Sequence, residues 1–100
     1  TPLSWAAENG HQAAIETLLA DEEVDLDPGD SRGMTPLLLA VNNGREAAVK
    51  LLLAETGVNP NSSNSDGQTP LLLAAKNGSE NIVNSLLEVD GIDLNAKDSD

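Results

Sequence analysis

The chain has 100 residues, about the size of one folding unit, and a formal net charge of −12 from 17 acidic and five basic residues. A surface this acidic repels phosphate backbones and anionic lipids, so we expect no nucleic-acid binding and no membrane binding. The sequence lacks cysteine, which excludes disulfides and thiolate metal sites, and it has no stretch near the roughly 20 apolar residues that span a membrane. We therefore expect an intracellular, cytoplasmic protein.

The apolar residues are almost all aliphatic. They make up 39% of the chain, yet Trp5 is its only aromatic residue and Met34 its only methionine. A core built from Leu, Ala, Val and Ile suits thin layers of short helices better than one thick globular interior.

A sequence repeat organises the chain. The triplet Thr-Pro-Leu begins at Thr1, Thr35 and Thr69, a spacing of 34 residues both times. An Asn-Gly pair and a Leu-Leu pair recur behind each triplet at the same offsets. A period in this range is typical of stacked supersecondary units.

Each unit predicts a pair of helices. The Thr caps the first helix, and the Pro, which lacks an N–H, occupies its first position. A short apolar helix follows, residues 37–41 in the second unit, and Asn-Gly ends it because both residues tolerate positive φ.

The second helix of each unit is predicted from an apolar stripe. It covers roughly Arg45–Ala54 in the second unit and Glu80–Glu88 in the third. About twelve residues rich in Gly, Asn, Asp, Ser and Pro then form a loop. The stripe comprises Ala48, Val49, Leu52 and Leu53, then Ile82, Val83, Leu86 and Leu87.

Together these residues resemble the ankyrin repeat. The resemblance rests on Thr-Pro-Leu, Asn-Gly, the Leu-Leu pair and the segments 57–61 and 91–95, and residues 1–11 match most closely. The tetratricopeptide repeat has the same period, but it has longer helices and lacks the long polar loop. The resemblance implies an all-α solenoid of stacked helix-turn-helix units with hairpin-like connecting loops. It also implies one domain over residues 1–100, with repeats 1–34, 35–68 and 69–100, and we expect a segment of a longer array.

Three departures from the family pattern carry expectations. The usual period is 33, and one extra residue before Gly57 should lengthen the turn after the second helix. Glu23 replaces that Gly in the first unit, so a positive-φ turn there would be strained or rebuilt. The family's His after the triplet is Ser4, Leu38 or Leu72 here, so we expect apolar packing to replace its hydrogen bonds.

The resemblance also implies a protein–protein interaction scaffold. Its partner would contact the loop tips and the concave face of the first helices. Arg32 and Met34 are the strongest individual candidates, because we expect both to project from the polar loop and both residue types are favoured at interfaces. The alternative is that these residues are simply solvated. The predicted partner-binding residues are Ser31, Arg32, Met34, Ser65, Asp66, Gln68, Glu8, Asn42, Asn43, Lys76 and Asn77.

Two ring-bearing residues have competing interpretations. Trp5 could be a stacking platform, but it aligns with Leu39 and Leu73, which favours packing between repeats. His11 is the only histidine; a general base would need a nucleophile or an orienting carboxylate, and a metal site would need further N or S ligands. It follows Gly10 at the start of the second helix, where the ankyrin pattern that the chain resembles often has a structural His. We interpret His11 as structural and expect no catalytic residue, cofactor or metal site.

An acidic cluster precedes the first loop. Its spacing does not fit an EF-hand, because Gly29 stands where the third acid belongs. A solvated loop is therefore favoured over a calcium site, and attraction to a partner with a basic patch is the other possibility. The cluster comprises Asp21, Glu22, Glu23, Asp25, Asp27 and Asp30.

Other functions are weighed against the scaffold. The main alternative is a structural or self-associating module, in which apolar end faces stack copies end to end. We expect a monomer, with end-to-end stacking left open, and we do not expect an enzyme. The glycosylation triplets at Asn61 and Asn77 are not expected to be modified.

Overall fold

The computed structural model describes residues 1–94, and within that range every regular element is an α-helix. This confirms the predicted all-α fold, although Asn95 of the repeat motif lies outside the described residues. The second helices are one or two residues shorter than predicted, because Arg45, Ala54 and Glu88 are caps. The helices are α1 (Pro2–Asn9), α2 (Gln12–Leu19), α3 (Pro36–Asn42), α4 (Glu46–Leu53), α5 (Pro70–Asn77) and α6 (Glu80–Leu87).

Local hydrogen bonds define the ends of the first helices. The hydroxyls of Thr1, Thr35 and Thr69 accept the backbone N–H three residues later, at 3.1, 3.2 and 3.3 Å. Proline occupies the first position of each of these helices. Gly10 and Gly78 end α1 and α5 in the left-handed region, at φ of 69° in both cases. The predicted Thr, Pro and Gly residues are thus confirmed at these ends, whereas α3 is capped by Asn43 at a φ of −98°, and Gly44, at a φ of 68°, follows it.

The three helix pairs stack as layers. α3 packs between α1 and α5, and α4 packs between α2 and α6. Among the described residues, the buried hydrophobic side chains are aliphatic apart from Met34, as the composition predicts, and the buried polar residues are the capping residues Thr35 and Thr69. Leu38 is completely buried, so apolar packing does replace the expected histidine there, whereas the Ser4 hydroxyl lies 2.8 Å from the Thr1 hydroxyl.

Most residues of the predicted apolar stripe are buried, and Leu87 is more exposed than the others. Ala48, Val49 and Leu52 are buried in α4, as are Ile82 and Leu86 in α6. Leu87 is 49% exposed, whereas its counterparts Leu19 and Leu53 are half-buried. Those two counterparts each belong to a layer that is followed by another, and Leu87 belongs to the third layer, which no further described layer covers.

The expected rebuilding of the turn at Glu23 is wrong, because the first and second units form the same turn: Val24 donates its N–H to the Asp21 carbonyl at 3.2 Å, and Val58 donates its N–H to the Glu55 carbonyl at 3.3 Å. Among residues 1–94, positive φ angles occur only at glycines. Gly57, the counterpart of Glu23, is not among those glycines, so the position requires no positive φ, and the Asp21 carboxylate also accepts the Glu23 N–H at 2.9 Å. The first acid of the acidic cluster therefore has a structural role.

Polar side chains link one long loop to the next. The Asp27 carboxylate accepts the Asn59 N–H at 3.2 Å. One layer on, the Asn61 amide accepts the Asp93 N–H at 2.8 Å and donates to the Gly91 carbonyl at 2.8 Å. Burial raises the pKa of Asp27, the hydrogen bond from Asn59 partly opposes this shift, and repulsion from Asp25 adds to it.

Asp27→Asn should stabilise the protein at neutral pH. The amide would keep the bond to Asn59 and remove a charge that the folded state disfavours. Because the pKa of Asp27 is raised in the folded state, the parent gains stability as the pH falls towards 3.8, whereas the variant lacks this gain.

The difference in unfolding free energy between Asp27→Asn and the parent should therefore be largest at pH 7. It should shrink as the pH falls through the range just above 3.8. Denaturant unfolding of both proteins at several pH values measures it. An advantage that grows towards acid pH would contradict this account of Asp27.

Candidate partner-binding groove

The first loop tip, residues 30–34, is folded by its own backbone and by one carboxylate. Asp30 donates its N–H to the Met34 carbonyl at 3.2 Å. Its carboxylate accepts the N–H groups of Arg32 at 2.8 Å and Met34 at 3.0 Å. These two hydrogen bonds lower the pKa of Asp30, and the bond from Met34 has the largest effect. The positive Arg32 guanidinium lowers the pKa further, so the carboxylate is charged at neutral pH.

The second tip, residues 64–68, has the same construction with an amide in place of the carboxylate. The Asn64 side-chain oxygen accepts the N–H groups of Asp66 at 2.9 Å and Gln68 at 3.0 Å. The two tips are joined directly, because Ser65 donates its N–H to the Arg32 carbonyl at 2.9 Å. They therefore form one continuous surface.

Gly33 permits this close approach of the tips. Its φ is 72°, and a Cβ at this position would lie 3.0 Å from the Ser65 nitrogen and 3.2 Å from the Asn64 backbone. Both the positive φ and the neighbouring backbone therefore require glycine here.

A cavity of about 300 Å³ lies between the tips and the first helices. It brings together seven of the predicted partner-binding residues, from both tips and from α3. Asn64 and Leu73 complete its wall. The seven predicted residues are Ser31, Arg32, Met34, Asn42, Ser65, Asp66 and Gln68.

A second cavity, of about 220 Å³, occupies the corresponding place one layer earlier. It contains the predicted residue Glu8, together with Trp5 and Asp30, which the sequence did not assign to the binding surface. We call the surface formed by these two cavities the groove. The other residues that line the second cavity are Thr1, Ser4, Pro28, Gly29 and Leu39.

Three predicted residues line neither cavity. The Asn43 amide donates to the Leu39 carbonyl of its own helix at 2.8 Å, which makes it a helix-ending residue. The Asn77 amide reaches back to the Asn42 carbonyl at 3.4 Å and so links two layers. Lys76 is exposed on α5, outside both cavities.

Met34 does not project from the loop as the sequence suggested. It is only 5% exposed and belongs to the core, and its sulfur accepts a hydrogen bond from the Asn64 amide at 3.4 Å. The tip turns Met34 inward because its backbone is bonded to Asp30 at both N–H and C=O. Arg32 does project, with its side chain 74% exposed beside Asp30 at 3.6 Å.

Trp5 does not pack between two repeats within the described residues, so the expectation that it does stays a prediction. Trp5 is 61% exposed, whereas Leu39 and Leu73 are each 5% exposed. Its ring stacks on His11, with the centroids 4.9 Å apart. No described layer lies on the outer side of α1, so this larger side chain remains at the surface, where it borders the groove.

The acidic cluster does not form a metal site in residues 1–94, where no group of three or more His, Cys, Asp or Glu residues could hold an ion. Asp25 instead accepts the Asp27 N–H at 3.1 Å. No helix in the same part of the chain is long and apolar enough to cross a membrane.

Comparison with known proteins identifies the family. The sequence-family model described as ankyrin repeats (three copies) matches residues 3–98. The chain therefore belongs to the ankyrin repeat family. The crystal structure of the human ASB11 ankyrin repeat domain is similar, with 34% identity and a TM-score of 0.80. The match covers 90% of this chain and 40% of that one, so the chain spans less than half of that domain. No curated protein matches significantly.

Membership of this family carries a general function. Ankyrin repeats are generally protein–protein interaction modules, and the family is one of non-enzymatic scaffolds. The sequence-based interpretation of the chain as an ankyrin-repeat, protein-binding module is thereby confirmed at this level.

Gly33→Ala should destabilise the protein more than Gly44→Ala. Both glycines have positive φ, which costs an L-residue about 1–2 kcal/mol. A Cβ at Gly44 meets no atom within 4 Å, whereas one at Gly33 meets the backbone of the next tip. Denaturant unfolding gives the loss in unfolding free energy for each variant. Equal losses would show that the close approach of the two tips does not require glycine at position 33.

Met34→Ala should lower the free energy of unfolding by about 2–5 kcal/mol, as for other buried large-to-small changes. Met34→Leu should cost less than about 1.5 kcal/mol because it conserves volume. Arg32→Ala, at an exposed position, should change stability by less than about 0.5 kcal/mol. A small loss in Met34→Ala would contradict the buried position of Met34.

Proposed function

We propose that the chain is a protein-binding scaffold whose partner occupies the groove. The observation that supports this most strongly is the cavity of about 300 Å³ shared by both loop tips and α3. The residues proposed to touch the partner are Glu8, Ser31, Arg32, Asn42, Ser65, Asp66 and Gln68. Met34 supports the surface from beneath, while Asn43, Lys76 and Asn77 flank it.

Rigidity of the groove favours binding. The side chains of Asp30 and Asn64 fix the two tips, and the bond from Ser65 to Arg32 holds one tip against the other. A surface arranged before binding loses little conformational entropy when the partner arrives, which improves affinity.

The charges of the groove favour a partner with basic side chains. Glu8, Asp30 and Asp66 line the two cavities, against the single base Arg32. Asp30 stays ionised because the backbone N–H groups that it accepts lower its pKa. The net charge of −12 acts in the same direction over longer distances.

Catalysis is not part of this proposal. A histidine that acts as a general base needs the reacting proton within reach and a group that orients the ring. The ring of His11 instead stacks on Trp5.

The groove can be tested with two matched double variants and a partner isolated by affinity capture on the immobilised chain. Arg32→Ala with Asp66→Ala removes one charge of each sign from the groove. Lys50→Ala with Glu16→Ala does the same at exposed positions of the second helices. We expect the groove pair to weaken binding at least about tenfold, because truncated hot-spot residues cost this much or more.

The control pair should bind like the parent, and binding of the parent should weaken as salt is added. Calorimetry or surface plasmon resonance gives both affinities, and thermal unfolding checks that all variants fold. Parent-like binding by the groove pair, or an equal loss in the control pair, would contradict the assignment of the groove.

A further inference from the structure

Besides Asn64, two side-chain amides line the groove cavity of about 300 Å³. Asn42 belongs to α3 and is exposed, whereas Gln68 ends the second tip and is half-buried. An amide can present either its oxygen, which accepts hydrogen bonds, or its NH2 group, which donates them. The hydrogen bonds that each amide makes within the protein therefore decide what it offers to a partner in the cavity.

Backbone groups fix the orientation of Gln68 through Asn64. The Asn64 side-chain oxygen accepts the N–H groups of Asp66 and Gln68, and backbone N–H groups can only donate. The Asn64 NH2 group must therefore point the other way, and it donates to the Gln68 side-chain oxygen at 3.0 Å. The Gln68 NH2 group, Nε2, is thus left at the cavity wall without an acceptor among residues 1–94.

The same reasoning gives the orientation of Asn42. The Asn77 NH2 group reaches the Asn42 backbone carbonyl, which can only accept, at 3.4 Å and the Asn42 side-chain oxygen at 3.5 Å. The side-chain oxygen of Asn42 therefore faces α5. Its NH2 group, Nδ2, has no acceptor within the described residues either. These contacts are longer than the bond to Gln68, so Asn42 is held less firmly.

The first tip shows that folding alone does not require an amide at position 64. Asp30 occupies the corresponding place, and its carboxylate accepts the N–H groups of Arg32 and Met34. A carboxylate has no N–H with which to orient a neighbouring side chain. The residue that corresponds to Gln68 is the buried Met34. The oriented donor is therefore a feature of the second tip and not of the repeat in general.

We propose that the NH2 groups of Gln68 and Asn42 donate to unpaired main-chain carbonyl oxygens of an extended partner segment with basic side chains. This inference rests on the groove as the partner site and adds what the partner presents there. Inside helices and sheets the carbonyl oxygens are already paired, whereas a solvated extended segment leaves them available.

The charges of the groove favour a carbonyl over a carboxylate as the acceptor. Asp66 lines the same cavity, and the net charge of the chain is −12, so an acidic side chain or a free carboxyl terminus is repelled. A main-chain carbonyl carries no net charge, and basic side chains on either side of it are attracted. The donors and the acidic residues therefore select the same kind of segment.

A library of short synthetic peptides with blocked ends can probe the groove, since these peptides have no terminal charges. Gln68→Glu and Asn42→Asp each replace the NH2 group by an oxygen of similar size, and the oxygen bonded to Asn64 or Asn77 remains. Gln12→Glu is the matched control for the added charge, because Gln12 is exposed at the start of α2 and lines neither cavity of the groove.

We expect the parent to select peptides that carry basic residues and lack acidic ones. Fluorescence anisotropy with a selected peptide then gives the dissociation constants. Gln68→Glu should weaken binding at least about tenfold, because an acceptor then faces an acceptor, and Asn42→Asp should weaken it in the same direction. Gln12→Glu should bind like the parent or slightly more tightly, since its added negative charge attracts a basic peptide.

The acceptor itself can be tested by replacing one peptide amide at a time with an ester, whose carbonyl is a weaker acceptor. At one position of the peptide, the ester should weaken binding to the parent. The same ester should have little effect on binding to Gln68→Glu, because the donor is already absent. Thermal unfolding checks that every variant folds.

Several results would overturn the proposal: a library that yields no binder, selected peptides that are acidic, or parent-like binding by Gln68→Glu. The double variant Arg32→Ala with Asp66→Ala distinguishes such a failure from failure of the groove. If the double variant weakens peptide binding and Gln68→Glu does not, the groove remains the partner site and the assignment of the donors is wrong. If neither weakens it, both proposals fail.

Discussion

Leu38 and Val41 lose all contact with water because α3 lies between α1 and α5. The remaining structure depends on this burial of one layer against the next. The helices have only seven or eight residues, too few to be stable alone, and no layer can enclose its own apolar side chains. Stability is therefore approximately a sum over layers and over the junctions between them. Within residues 1–94, the first and third layers each take part in only one junction, and Trp5 and Leu87 lie on the sides of these layers that no described layer covers.

The long loops face a different constraint, since their backbone groups have no helix to satisfy them. Short polar side chains take on this role, as Asp30 and Asn64 do within the tips and Asp27 and Asn61 do between loops. The loops thus lie in register with the layers without forming strands in the described part of the chain. This register places the two tips beside each other and gives the groove its depth.

Those features that local chemistry controls could be predicted from the sequence. Thr35 before Pro36 marks a helix start whatever the surroundings, and Gly44 after Asn43 marks its end. The burial of Met34 and the exposure of Trp5 could not be predicted in this way. Met34 turns inward because the tip folds back on Asp30. Trp5 is exposed because no described layer packs on the outer side of α1. Both depend on contacts that a pattern along one chain does not contain.

Within each tip, the residues that hold the loop are different from those that face the groove. Asp30 and Gly33 fix the shape of the first tip, while Ser31 and Arg32 between them are exposed and contribute little to the core. Asn64 and Gly67 stand in the same relation to Ser65 and Asp66. Under the proposed function, mutations at the exposed positions alter which protein is recognised without a loss of stability. The proposed groove thus separates specificity from architecture, since the two exposed residues of each tip can change while the framework beneath them stays the same.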